Sequence, residues 1–380
     1  MKFLFVVQGE GRGHMTQAIA LAQILENRGF ELCGVCVGKS NRRAIPDFFR
    51  QKINAPIILF ESPNFVTDKQ NKGIKLGKTV FHNLMKYNTF RKSLKQIHQV
   101  VSETQPDIIL NFYDILGGIY NFIYKPQCQY WTIGHQYLIN HPDFAYPKGR
   151  QLEKLLFQLN TKITSLGSQK QLALSFRPLA PSQVQNTHVL PPLLRKELRK
   201  LVPSKGDFYL TYMVNPGYGE EILLFAKANP HINIVAFWDK KGAPDLMKPM
   251  ENVLFYQVND VLFLEKMAAC RALICTAGFE SVCEAMYLGK PVMMIPVKGQ
   301  YEQHCNALDA VYSQAGISSD KYDFLKMESF LNAHKYQPTD PKKWMDSFED
   351  GFIRILENSF PVTERKISSY KSIKEGLLTS

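Results

Sequence analysis

The chain has 380 residues, 45% hydrophobic and 21% charged, which excludes a disordered protein. It exceeds the roughly 250–300 residues at which one core stops growing, so two domains are expected. The formal net charge of +12 lies wholly in the first half: residues 1–194 hold 23 Lys and Arg against 11 Asp and Glu, while residues 195–380 hold 23 of each.

A basic half beside a neutral one fits either general solubility or an anionic partner such as a membrane surface, a phospholipid or a phosphorylated acceptor. No nucleic-acid partner is expected. The opening MKFLFVVQGEG has too short an apolar run for a signal segment, and no window nears the eighteen apolar residues of a spanning helix. A cytoplasmic protein is the expectation, with peripheral contact at the inner face of a membrane as an added reading.

In chain order, Lys2 to Val7 is an apolar strand, followed by the loop QGEGRGH and a helix MTQAIALAQILENRG that stops at Gly29. A second strand spans Phe30 to Val37. It contains Cys33 and Cys36, which strand alternation should point to opposite faces, so all seven cysteines are expected to be core thiols. Further strands are expected at Pro56 to Phe60, Asp107 to Asn111 and Cys128 to Ile133. Between Ser62 and Glu103 lies a lysine-rich segment whose later part carries Val80, Leu84, Phe90, Leu94, Ile97 and Val101 near helical spacing. That stripe faces either the core or an anionic bilayer.

A proline-rich basic stretch at residues 189–207 reads as a linker. A second α/β series follows, with strands at Asp207 to Met213, Ile232 to Phe237, Val253 to Tyr256, Arg271 to Cys275 and Pro291 to Ile295. Helices are expected at Gly219 to Ala228 and Asp260 to Ala269, and the chain beyond about Asp340 is polar and helical. The expected domains are residues 1–195, which bind an acceptor, and 196–360, which bind a donor. Residues 361–380 would form a tail helix packing back on the first domain.

Two stretches carry chemistry. In QGEGRGH the last glycine of a dinucleotide fingerprint is replaced by His14, and LCGVCVGKS supplies no acid for a ribose, so NAD is not expected. His14 instead sits at a helix start, where the dipole keeps an imidazole neutral and able to accept a proton. Asp114, just past a strand end, is the acid expected to orient it, and His135, past another strand end, could place an acceptor. The second stretch, TAGFESVCEAMYLGKPVMMIPVKGQYEQHCN, starts a helix after a strand. Free amides near Gly278, Phe279, Glu280 and Ser281 suit a pyrophosphate. Glu284, one turn beyond Glu280, could accept a ribose diol.

Together, QGEGRGHMTQAIALA and TAGFESVCEAMYLGKPVMMIPVKGQYEQHCNA resemble the GT-B glycosyltransferases. They are similar to the bacterial and archaeal group related to the lipid I N-acetylglucosaminyltransferase and to the UDP-glycosyltransferases. The resemblance implies an α/β GT-B fold: two doubly wound, Rossmann-like parallel-sheet domains facing a cleft, with a C-terminal helical tail. It also implies an inverting, metal-independent hexosyl transfer from a nucleotide sugar, UDP-linked by expectation, without a cofactor.

By position, His14 would be the base, while Gly278 and Ser281 would hold the pyrophosphate and Glu284 the ribose. Glu302 and Gln303 would read the sugar hydroxyls, Val258 would lie near the nucleobase, and Asn215 to Gly217 would form the other phosphate loop. Gly11, Gly13 and His135 are assigned to the acceptor, which could be a lipid or a glycan of the cell envelope. The plant pattern has histidine where Thr276 stands and asparagine where Glu280 stands. A second carboxylate at Glu280 would repel a pyrophosphate unless it turned away. Two other readings remain open: an epimerase of UDP-N-acetylglucosamine and a non-catalytic nucleotide-sugar binder.

Overall fold

The protein is represented by a computed structural model that describes all residues except 10, 40–44, 64–85, 182–183, 185, 214–215, 241, 334–339 and 361–380. Unbroken apolar runs become largely buried parallel strands, with β4, β12 and β13 buried throughout, as expected where helices cover both faces of a sheet. The first half contributes β1 (Lys2–Gln8), α1 (Arg12–Asn27), β2 (Glu31–Lys39), α2 (Asp47–Lys52), β3 (Ile57–Glu61), α3 (Tyr87–Thr104) and β4 (Ile108–Phe112). It continues with α4 (Ile115–Tyr124), β5 (Gln129–Gly134), α5 (Gln151–Thr164), β6 (Lys170–Leu174) and β7 (Thr187–Leu190). These strands form one parallel sheet in the order β3-β2-β1-β4-β5-β6-β7.

The second half adds β8 (Phe208–Met213), α6 (Gly219–Ala228), β9 (Asn233–Trp238), β10 (Leu246–Met250), β11 (Val253–Gln257), α7 (Asp260–Ala269) and β12 (Ala272–Thr276). Then come α8 (Phe279–Tyr287), β13 (Val292–Ile295), α9 (Tyr301–Tyr312), β14 (Gly316–Ser318), α10 (Phe324–Ala333), α11 (Lys342–Met345) and α12 (Phe348–Ser359). The second sheet runs β10-β11-β9-β8-β12-β13-β14, parallel except for β10 at its edge. Both halves are thus Rossmann-like. In each the strand order reverses at one point, between β1 and β4 in the first sheet and between β8 and β12 in the second. Ligands of open α/β sheets bind outside the carboxyl ends of the strands at such points.

Four strands escape the sequence pattern: β6, β7, β10 and β14. β14 has three residues, too few to show a period, and β10 is largely exposed, with Pro249 in it. The cysteine geometry is also corrected. A register shift between Phe3 and Leu4 puts a bulge in β2, which resets the alternation, so Cys33 and Cys36 both pack into the cluster around Leu4, Val6 and Tyr120. Both are free thiols, and burial raises the pKa of each, that of Cys36 to about 12.

Helix α3 buries Leu94, Ile97, Val100 and Val101 against the first sheet. Its apolar face is therefore spent on the core, and the bilayer reading of that stripe loses support. Val80, Leu84 and the lysines at 69, 72, 75 and 78 lie outside the described residues. Among the described residues no helix is long and apolar enough to cross a membrane.

The expected tail helix at 361–380 also lies outside the described residues, but the chain has already returned to the first sheet at α12. Phe352, fully buried, meets Phe3 at 6.4 Å and Trp131 at 6.3 Å between ring centroids. Phe352→Ala should therefore lower the unfolding free energy by about 3–5 kcal/mol. In the same chemical denaturation, Leu224→Ala, at a position 72% exposed, should stay within about 0.5 kcal/mol of the parent.

Candidate active site

Helix α1 begins directly at the carboxyl end of β1. Its N-cap is Gly11, which makes no side-chain cap bond, and its third residue is His14. Gly9 lets the loop fold over β2: a Cβ there would lie 2.4 Å from the Gly38 carbonyl oxygen, to which the Gly9 amide already donates. Across the switch point, β4 is followed by Tyr113, whose left-handed backbone (φ 62°) costs about 1–2 kcal/mol. The turn brings its ring onto His14, 5.8 Å between centroids and nearly parallel, while its hydroxyl bonds to Thr161 at 2.7 Å.

His14 is 9% exposed, and burial lowers its pKa to about 4. Its Nδ1 lies 3.3 Å from Gln17 Oε1, and its Nε2 lies 3.4 Å from Gln136 Nε2. Both glutamines lead into the second half. Gln17 Nε2 donates to Glu280 Oε1, and Gln136 Nε2 donates to Glu302 Oε1 at 2.9 Å. His14 is thus the midpoint of two amide bridges, each ending on a helix glutamate of the other half.

Asp114 does not fill the orienting role expected of it. It is the N-cap of α4: Oδ1 accepts from the Leu116 and Gly117 amides at 2.8 and 3.3 Å, and Oδ2 accepts from Ser62 at 2.8 Å. The side chain facing His14 Nδ1 is Gln17, one helical turn along, a spacing that alone could have suggested it. Burial raises Asp114 to a pKa of about 6.

His135 is also displaced from its expected place. Its Nδ1 donates to the Leu174 carbonyl at 2.7 Å, and its ring stacks on Phe279 at 4.3 Å. It belongs to the joint between the halves, and its neighbour Gln136 is the one that reaches the site. Gly13 serves the joint as well, since a Cβ there would come within 3.1 Å of Glu280 Cγ. Its missing side chain lets the starts of α1 and α8 meet.

The second switch point holds the other stretch. Thr276 closes β12, buried, and Gly278 is the N-cap of α8 with no side-chain cap. The first-turn amides at Phe279, Glu280 and Ser281 precede any intrahelical partner. A Cβ on Gly278 would meet nothing within 4 Å, so the space over this helix start is open. Gly217 lies in the short 3-10 turn Pro216–Tyr218 beyond β8, beside this point, and Asn215 lies outside the described residues. Val258 follows β11 and donates its amide to the Trp238 carbonyl at 3.0 Å.

The acids of this half are mostly engaged. Glu280 turns away from the open space toward Gln17, and burial raises its pKa to about 8. Glu284 is held by Arg195, Nε to Oε1 at 2.6 Å and Nη2 to Oε2 at 2.7 Å. A ribose would have to share Glu284 with this arginine, which lies in the stretch expected to be a basic linker. Gln303 accepts from the Val297 amide through Oε1 at 2.9 Å. Burial raises the Glu302 pKa, and the Gln136 bond opposes the shift. Among the described residues no three His, Cys, Asp or Glu side chains gather as a metal set.

Cations of the first half also grip acids of the second. Arg12 meets Asp239 at 2.7 Å, Lys52 meets Asp260 at 2.8 Å and Arg177 meets Asp309 at 2.6 Å.

With two Rossmann-like sheets closed over a histidine and an uncapped helix start, the sequence matches Glycosyl transferase family 1 over residues 1–334. The chain belongs to this family. No curated protein matches it. Among solved structures it is similar to the glycotransferase of kitacinnamycin, at 14% identity and a TM-score of 0.61, covering 95% of this chain and 99% of that one. The spinosyn rhamnosyltransferase complexed with thymidine diphosphate is similar over 94% and 100%, at 12% identity and a TM-score of 0.60. The UDP-GlcNAc 2-epimerase from Neisseria meningitidis bound to UDP-GlcNAc is similar over 94% and 100%, at 14% identity and a TM-score of 0.63. At these identities the likeness is one of fold, the GT-B arrangement.

In this glycosyltransferase family member the buried Glu280 leaves a pH signature. Its folded pKa of about 8 lies above the ordinary value of 4.5, so the stability tied to its proton is complete below about 4.5 and is lost as pH rises through about 8. Unfolding curves of Glu280→Gln and the parent should therefore diverge in favour of the variant between those limits. A difference independent of pH would show that Glu280 is ionised in the folded protein throughout.

Proposed function

We propose that this protein transfers a hexose from a nucleoside-diphosphate sugar, uridine-linked in the first instance, to an acceptor hydroxyl, with inversion and without a metal. The observation that carries the reading is the meeting of the two switch points. The neutral His14 of one sheet is tied through glutamines to α8 and α9 of the other. Nucleotide ligands in two of the similar structures, thymidine diphosphate and UDP-GlcNAc, support a nucleotide sugar as donor.

In this mechanism the acceptor oxygen attacks the anomeric carbon as the bond from that carbon to the diphosphate oxygen breaks. The acceptor proton passes to His14, and the nucleoside diphosphate leaves. Charge building on the diphosphate meets the amides of Phe279, Glu280 and Ser281 and the positive end of the α8 dipole. Glu302 and Gln303 border the sugar, while Val258 and Gly217 border the nucleotide. Gly11 borders the acceptor, a lipid or glycan hydroxyl presented on the first sheet. The exposed Arg91, Lys92 and Lys95 of α3 leave room for an anionic acceptor.

His14→Ala should reduce kcat by about 10²–10⁴-fold with the donor KM little changed, because a positioned base contributes that much to the transition state. Release of nucleoside diphosphate in the presence of acceptor measures it, and an unchanged kcat would remove His14 from the base role. In the parent, the burial that lowers the pKa of His14 to about 4 should keep the rate level on the acid side well below pH 6.5.

Gly278→Val tests the donor site. The backbone there is extended (φ −76°, ψ 147°) and the space is open, so the melting point without ligand should hold. The thermal shift on adding UDP or a nucleotide sugar should shrink, as bulk now fills the diphosphate position. Conversion of UDP-GlcNAc without any acceptor would mark an epimerase instead.

A further inference from the structure

A carboxyl group at Glu280 is at odds with a donor site, and two glutamines, Gln17 and Gln136, stand between His14 and the other half. Their hydrogen bonds share one logic. Glu280 Oε1 accepts, so Gln17 must turn its NH₂ toward α8 and its carbonyl toward His14. A carbonyl 3.3 Å from Nδ1 requires the imidazole proton to sit on Nδ1. On the other side the Gln136 NH₂ donates to Glu302 at 2.9 Å and faces His14 Nε2 at 3.4 Å, which requires a bare lone pair there.

Two independent chains thus demand the same tautomer, with Nε2 as the nitrogen that can take a proton. The other charged groups facing Glu280 are Glu284 on its own helix and Arg195, and these hold each other. A proton on Glu280 would reside on Oε2, which has no partner, leaving Oε1 to accept in either charge state.

Resting on the transfer reading, we propose that Gln17 and Glu280 are positioning residues that hold His14 in the Nδ1–H tautomer, so that Nε2 is the basic atom. The Glu280 side chain in this view does not bind the donor, although its backbone amide faces the diphosphate. It stands in for the carboxylate that orients a catalytic histidine elsewhere, acting through an amide from the opposite half. Because Gln17 and Glu280 belong to helices of different halves, the tautomer is set only when the halves are closed. Separation would free the amide and leave the ring without its lock. Closure then arms the base as well as sheltering the substrate.

The test is nitrogen NMR of the full chain labelled with ¹⁵N-histidine, with His14 assigned among the nine histidines by its loss in His14→Gln. The wild-type ring should show Nδ1 protonated and Nε2 bare. Gln17→Leu and Glu280→Leu should each move it to a mixture or to the Nε2–H form. Glu280→Gln, whose amide oxygen can take over as acceptor, should restore the wild-type pattern. In steady-state assays the two leucine variants should lose about tenfold or more in kcat, bounded by the roughly 10²–10⁴-fold of the base itself, with donor KM within about twofold.

An Nε2–H ring in the wild type would overturn the proposal without recourse to any variant. So would an unaltered tautomer in Gln17→Leu, or a Glu280→Leu variant that raises donor KM while the ring stays as it was. If the tautomer responds as stated but no sugar is transferred, the positioning stands and the transfer reading falls.

Discussion

The site depends on two helix starts brought nose to nose. α1 and α8 both begin at switch points, and the absent side chain of Gly13 lets the first turn of one lie against Glu280 of the other. Each start carries roughly half a positive charge, so the junction favours neutral imidazole and invites an anion. Burial at the junction keeps His14 uncharged and favours the protonated form of Glu280, while the open ground over Gly278 suits a diphosphate.

Around this junction the buried charges divide by whether they are paired. Glu284 with Arg195 and Asp309 with Arg177 are closed by bidentate or short contacts, and Asp114 is satisfied by two amides and a hydroxyl. Glu280 differs in being paired, among the described residues, with an amide and not with a cation, one oxygen accepting from Gln17 and the other without a hydrogen-bond partner. Burying a half-satisfied carboxyl costs stability, and such strain is commonly kept where a site needs it. Part of the positive charge of the first half is likewise spent inside the molecule. Arg12, Lys52 and Arg177 hold acids of the second half, and Arg28 holds Glu349 of the returning helix.

Much of this was legible in the chain. Apolar runs of strand length alternating with helical periods predict two doubly wound sheets, because parallel strands are buried on both faces and announce themselves. His14 and Gly278 could be singled out because a strand, a glycine and a helix start lie together in sequence. Asp114 was misassigned because a strand-end aspartate looks the same whether it caps the next helix or faces a base, and capping is satisfied locally by Leu116 and Gly117. Cys33 and Cys36 misled because alternation holds only until a bulge resets it.

By itself, then, the sequence determined the elements, the two switch points and the helix starts that stand at them, all of which follow from local periodicity and turn chemistry. Only the tertiary structure decided which side chains those points share. Gln17 meets Glu280 across 263 positions and Gln136 meets Glu302 across 166, and Arg195 leaves the linker to take Glu284. An amide carries no sequence signature of its partner. Its orientation is set by whatever acceptor the other sheet presents, and that is fixed only once the two cores have packed.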